Sequence, residues 1–287
     1  EGVLPAMQKV NELHGNDGIN VVGYCIGGTT LALTQAWLGK TKQENPAKSC
    51  TFFTALTDFE DPGPLKSFID EGFISGIMIE AQRKGYLDQR IMARTFSYLR
   101  ANDIVYGPAV KAYLLGEARP KFDLLFWNED STRLPERMAR EYLTHLYRDN
   151  LFAKGGFDID GKSVSLDDIK VPHYVVACEK DHIAPWDASF RGLSRLKGGG
   201  RFVLAQSGHI AGIVNHPDKK KYGYWVSDET PGDLDAWRAG TTANEGSWWP
   251  DWASWLAKRS GKKIDASASF PESTPRLEPA PGRYVSE

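Results

Sequence analysis

Three side chains in this sequence could share one reaction. They are Cys25 in Gly23-Tyr24-Cys25-Ile26-Gly27, Asp181 in Glu179-Lys180-Asp181-His182, and His209 in Ser207-Gly208-His209-Ile210. A thiol becomes a strong nucleophile when an imidazole takes its proton, and a carboxylate on the far ring nitrogen fixes the imidazole tautomer and stabilises its charged form. Cysteine, aspartate and histidine in that order therefore predict covalent acyl chemistry. Of the other histidines, His14, His145, His173 and His216 lack a preceding glycine at a strand end. His182 adjoins the acid and is expected to support it or cap its turn. The cysteines, Cys25, Cys50 and Cys178, are odd in number and widely spaced, which fits neither a disulfide framework nor a zinc site. No metal and no cofactor is expected, and a reducing compartment follows. Cys50 and Cys178 fall inside strand patterns and are expected to be buried and quiet.

The elements around these residues must place them together. An apolar run over residues 19–24 stops at Gly-x-Cys-x-Gly, and a helix-like run follows over residues 30–38. That is the pattern of a nucleophile elbow, in which a strand ends in a strained turn and the nucleophile stands above a helix N-terminus. Glycines at 23 and 27 would remove Cβ atoms that collide in such a turn. The field at a helix start favours a thiolate, as it favours any anion. The backbone N–H of Ile26, directly after the nucleophile, would supply one oxyanion donor. The competing reading of Cys25 is a structural cysteine buried in a tight turn. Asp181 follows a strand pattern at 169–178, and His209 follows one at 201–205. In a parallel sheet all such ends lie on one edge. Nucleophile, acid, histidine is also the chain order of the α/β-hydrolase fold.

The remaining chain divides by pattern. Residues 1–60 carry a leading helix, the elbow, and a second strand at 49–56. Residues 61–165 change to helices at 65–71, 74–83, 89–99, 109–115 and 136–147, and read as an inserted helical cap or lid over the site. Its aromatics, Tyr98, Phe122, Phe126, Trp127 and Tyr142, are either ordinary subdomain core or the lining of an acyl or polymer tunnel. Sheet grammar returns over 166–259. There Trp248, Trp252 and Trp255 share one face of a helix expected to pack into core. Residues 260–287 read as an extended tail. The 287 residues carry 35 Lys+Arg against 37 Asp+Glu, a net charge of −2, so nothing points to nucleic acid. The apolar runs are too short to span a bilayer and no signal pattern is seen, which sets the expectation of a soluble intracellular protein.

Several segments together resemble the polyhydroxyalkanoate synthases, particularly the single-subunit class I kind that makes poly(3-hydroxybutyrate). They include Gly23-Tyr24-Cys25-Ile26-Gly27-Gly28-Thr29, Leu56-Thr57-Asp58-Phe59, Phe122-Asp123-Leu124-Leu125-Phe126-Trp127-Asn128, Asp181-His182-Ile183-Ala184-Pro185-Trp186, Ser207-Gly208-His209-Ile210-Ala211-Gly212, and Gly246-Ser247-Trp248-Trp249-Pro250-Asp251-Trp252. The tail Glu278-Pro279-Ala280-Pro281-Gly282-Arg283-Tyr284-Val285 matches as well. The resemblance implies an acyltransferase on (R)-3-hydroxyacyl-coenzyme A that releases coenzyme A and lengthens a polyester on a cytoplasmic granule. It implies a homodimer formed through the cap, and it puts Cys25, Asp181 and His209 at the family's catalytic positions.

The family also carries a long portion ahead of the elbow, where only 24 residues precede Cys25 here. An N-terminally truncated α/β-hydrolase core is therefore expected, with the strand before Cys25 short of a neighbour and the second oxyanion donor lying upstream of residue 1. Two other functions compete. A cysteine-dependent hydrolase, a thioesterase or lactone hydrolase, needs the same triad but admits water. A catalytically silent scaffold would bind a granule surface through its aromatics, but leaves the ordered triad unexplained.

Overall fold

The computed structural model describes residues 2–99, 101–118, 132–227, 232–265 and 278–279. Its main sheet has six strands in the order in which the chain makes them. The first four are β1 (Ile19–Tyr24), β2 (Ala47–Phe53), β3 (His173–Cys178) and β4 (Gly200–Ala205), all parallel. Antiparallel β5 (Tyr224–Val226) and β6 (Thr242–Asn244) complete it. All six residues of β3 are buried. A parallel strand covered on both faces reads as this near-continuous apolar run.

On one face pack helices α1 (Val3–Leu13), through Met7, and α2 (Ile26–Thr41), through Leu31, Ala32 and Ala36, and the helix Trp186–Leu193, through Phe190. Phe190, Phe202 and Trp237 form an aromatic cluster there, with centroids 4.9–5.6 Å apart. The opposite face holds Tyr174, Val176, Cys178, Val203 and Trp248. The tryptophan stripe covers that face: Trp248 and Trp252 meet Phe53 at 5.1 and 5.3 Å, and Trp255 meets Tyr174 at 5.3 Å. Arg201 grips Asp251 of that helix with two N–H···O bonds of 3.0 and 2.9 Å. The stripe is core packing, as its spacing suggested.

Several sequence boundaries shift for physical reasons. Strand β2 stops at Phe53 instead of 56, because Thr54 adopts a φ of 44°. Strand β3 begins only at His173, after Pro172, which has no N–H to give a ladder. Within 61–165, residues 63–68 form a short 3-10 turn, and the first α-helix is Glu71–Lys84, capped by the Asp70 side chain and ended by Gly85 at φ 78°. The helix from Glu136 changes to wider π turns over Tyr142–Arg148. This region is not purely helical, since Tyr86–Leu87 pairs with Leu134–Pro135, and Phe157–Ile159 with Lys162–Val164. Phe122, Phe126, Trp127, the Tyr98 side chain and most of the tail lie outside the described residues.

Among the described residues β1 pairs on one side only, with β2, and Val22 is half exposed. No described helix is long and apolar enough to cross a membrane. The elbow's tight packing rests on Gly23 and Gly28. A Cβ on Gly23 would sit 2.6 Å from the Gly28 Cα, and one on Gly28 would sit 2.5 Å from the Ala55 Cβ. At Gly27, by contrast, an added Cβ meets nothing within 4 Å, so the close approach falls one residue later than the motif suggested. Gly23→Ala is expected to cost about 1–3 kcal/mol by overpacking. Gly27→Ala, inside a helix, should hold or raise stability by up to about 1 kcal/mol. Thermal denaturation of the two variants checks this, and equal losses in both would contradict the assignment.

Candidate active site

Cys25 is the residue at which β1 turns into α2. Its φ of 54° and ψ of −123° lie where few non-glycine residues go. The turn is held from outside, since the Cys25 N–H donates to the Phe53 carbonyl at 2.9 Å. It is also held from within, because the Gly28 and Thr29 N–H groups donate to the Cys25 carbonyl. The Cys25 thiol is partly exposed, whereas Cys50 and Cys178 are fully buried. Burial pushes both of those thiols well up. The first N–H groups of α2, starting at Ile26, have no partner within the helix and lie beside Cys25.

Asp181 and His209 come off the ends of β3 and β4. Their loops are tied together, with the Lys180 N–H donating to the Ser207 carbonyl at 2.9 Å. His209 Nδ1 lies 2.7 Å from Asp181 Oδ2, and both side chains are almost wholly buried. The other carboxylate oxygen accepts the N–H groups of Ile183 and Ala184, at 2.8 and 2.9 Å. Those two backbone donors orient the acid; half-buried His182 lies between them and Asp181 in sequence. Burial works against a charge on His209. The Asp181 hydrogen bond, a second hydrogen bond to Cys25 and the two negative charges outweigh it, so His209 is pushed up to about 10. With Nδ1 engaged by Asp181, it is Nε2 that faces the thiol.

Tyr24 completes this end of the sheet, a role its sequence position did not reveal. Its hydroxyl donates to the His209 carbonyl at 2.8 Å, and the two rings lie 5.4 Å apart. Burial, with the nearby Cys25 and Asp181, pushes the phenol up, so it stays a neutral donor. A second wall comes from the loop after β2 and from the 142–148 turns. Phe59 packs on Tyr147 at 4.6 Å, and Tyr147 on Tyr142 at 5.3 Å. Burial, with each other and Cys25 nearby, pushes the Tyr142 and Tyr147 phenols up, so both stay neutral. Among the described residues no group of three or more His, Cys, Asp or Glu could hold a metal ion.

A parallel sheet with a cysteine elbow, and an acid and a histidine after later strands on the same edge, defines an α/β-hydrolase fold. No family model matches the chain. It is 42% identical over 291 residues to the poly(3-hydroxyalkanoate) polymerase subunit PhaC of Cupriavidus necator, covering 98% of this chain and 49% of that protein. It is 39% identical over 287 residues to PhaC of Rhizobium etli, covering 100% of this chain and 45% of that protein. The poly(3-hydroxyalkanoate) polymerase of Methylorubrum extorquens is 39% identical over 286 residues, covering 99% and 47%. The chain thus spans about half the length of the curated relatives it matches. Over that span it is homologous to the poly(3-hydroxyalkanoate) polymerases.

Proposed function

We propose that this chain carries the acyl-transfer site of a polyhydroxyalkanoate synthase, with Cys25 as nucleophile, His209 as general base and acid, and Asp181 as the residue orienting His209. The observation that supports this best is the buried 2.7 Å Asp181–His209 contact, on an imidazole that is held charged in part by the nearby elbow cysteine. In the proposed reaction His209 Nε2 takes the thiol proton, and the sulfur attacks the carbonyl carbon of an (R)-3-hydroxyacyl-coenzyme A. The carbonyl oxygen takes up the displaced electron pair beside the Ile26 N–H. Collapse breaks the bond to the coenzyme A sulfur, which leaves with the proton from His209 as free coenzyme A. The 3-hydroxyl of another acyl unit then gives its proton to His209 and attacks the acyl-cysteine. An ester bond forms and the Cys25 sulfur is released. A thioester exchanging for a thioester is nearly isoenergetic, which suits a cysteine here better than a serine.

The same proposal assigns residues 61–165 to a cap over the site. It includes a homodimer formed through that cap and cytoplasmic work at the surface of a polyester granule. Hydrolysis is the alternative fate of the acyl-cysteine, and product analysis separates the two. With 3-hydroxybutyryl-coenzyme A, free coenzyme A is expected to appear together with chloroform-soluble polyester. Free 3-hydroxybutyrate as the main product would make the protein a thioesterase, and no release of coenzyme A would make it a scaffold.

A further inference from the structure

Asp58 and Asn150 are 92 residues apart in sequence, and both side chains are at least nine-tenths buried. The Asn150 amide donates to Asp58 Oδ1 at 2.9 Å, and its Oδ1 accepts the Phe59 N–H at 3.0 Å. Asp58 Oδ1 also accepts the Glu60 N–H at 3.0 Å. One asparagine thus closes the loop that leaves β2 and fastens it to the end of the 142–148 turns. That loop is fixed to the elbow as well, since Thr29 Oγ1 donates to the Leu56 carbonyl at 2.7 Å. On either side of the asparagine stand the two rings of the wall near Cys25: Phe59, whose N–H it holds, and Tyr147, three residues before it. A cavity of about 390 Å³ opens behind them, with Asp58, Asn150, Phe59 and Tyr147 in its lining.

We infer that Asp58 and Asn150 form a latch that positions the Phe59–Tyr147 wall beside Cys25, so that the acyl group of the substrate is held for attack; the inference rests on the function proposed above. A simpler role exists for Asn150, whose φ of 51° and ψ of 41° lie in the left-handed region where asparagine and glycine are favoured. Glycine would serve the turn alone equally well, but only a side-chain amide can bridge Asp58 and the Phe59 N–H. The pair is also reversible on paper. With Asp58→Asn and Asn150→Asp together, the new amide donates to the new carboxylate, which still accepts from Phe59, while the part-buried Glu60 N–H, which shares Asp58 Oδ1 in the wild type, gives up that acceptor. Asn150→Asp alone sets two carboxylates against each other in a buried site.

Three variants test this, each checked for a native circular dichroism spectrum: Asn150→Gly, Asn150→Asp, and the swapped Asp58→Asn/Asn150→Asp. Single-turnover coenzyme A release from 3-hydroxybutyryl-coenzyme A should fall about tenfold or more in the two single variants, as for loss of a buried hydrogen-bonded contact. The swapped pair, which restores the bond between positions 58 and 150 but not the one to the Glu60 N–H, should recover part of it and exceed Asn150→Asp clearly. In parallel, N-ethylmaleimide should label Cys25 faster in Asn150→Gly, where the wall is free to move, and nearer the wild-type rate in the swapped pair. A folded Asn150→Gly with wild-type release and labelling overturns the latch, as does a swapped pair no better than Asn150→Asp. If the wild-type protein releases no coenzyme A at all, the proposed function fails, and the labelling rates still decide on the latch.

Discussion

Replacing Cys25 by alanine is expected to reduce coenzyme A release by at least about 10³-fold, the scale on which loss of a covalent nucleophile acts. The fold should survive, because Cys25 is partly exposed and is not one of the buried core residues. Alanine also meets the same backbone strain at φ 54° that cysteine already bears. Neither other thiol can substitute. Cys50 and Cys178 are fully buried in β2 and β3, and burial pushes their thiols up. Iodoacetamide should accordingly modify Cys25 first, with loss of activity in step with that labelling. Substantial turnover in Cys25→Ala, or faster labelling of Cys50 or Cys178, would transfer the nucleophile's role elsewhere.

Asp181→Asn should have the next largest effect, and an uneven one. The new side chain can still accept the Ile183 and Ala184 N–H groups through Oδ1, so the turn keeps its shape. Its amide nitrogen then faces His209 Nδ1, which forces the proton onto Nε2 and leaves no lone pair toward the substrate. In a serine triad the same change costs about 10⁴ in turnover. A cysteine–imidazole pair ionises with less help, so the first acylation should be spared relative to elongation, in which a less acidic 3-hydroxyl must give up its proton. A burst of coenzyme A that falls as far as polymer synthesis would limit Asp181 to holding His209 in place.

The same pair sets a pH dependence of stability. The folded protein holds the proton on His209 more tightly than the unfolded chain, about 10 against 6.5. A raised value of this kind contributes stability that is fully present below about 6.5 and is lost as pH rises through about 10. The gap in thermal midpoint between the wild-type protein and Asp181→Asn should therefore be widest near pH 6 and close toward pH 10. A gap that widens with pH would reverse the assignment.

The site was legible in the sequence to the extent that strand ends are legible. Cys25, Asp181 and His209 each follow an apolar run, and parallel pairing of β1 to β4 brings those ends to one edge. Strands β5 and β6 and the helix Leu234–Ala239 were not read, because they are three to six residues long in a polar stretch. Periodicity needs longer windows than that. Asn150 escaped for another reason. Its partner is 92 residues away, and a single buried amide leaves no pattern in the surrounding sequence. The close-packed glycine was misplaced by one, to 27 instead of 28, because the motif fixes spacing along the chain and not which Cα meets Ala55. Tyr24 looked like one more apolar residue of β1, yet its hydroxyl reaches the His209 carbonyl across 185 residues of chain.

The central claim is that an acyl group resides on Cys25 during turnover. Rapid mixing with one equivalent of 3-hydroxybutyryl-coenzyme A, acid quench and peptide mass spectrometry examine it directly. The expected result is a 3-hydroxybutyryl adduct, or a short oligomer of it, on the peptide containing Gly23-Tyr24-Cys25-Ile26, removable by neutral hydroxylamine and missing in Cys25→Ala. Coenzyme A released while that peptide stays unmodified at every time point, with the acyl group on another residue or on none, would contradict the account.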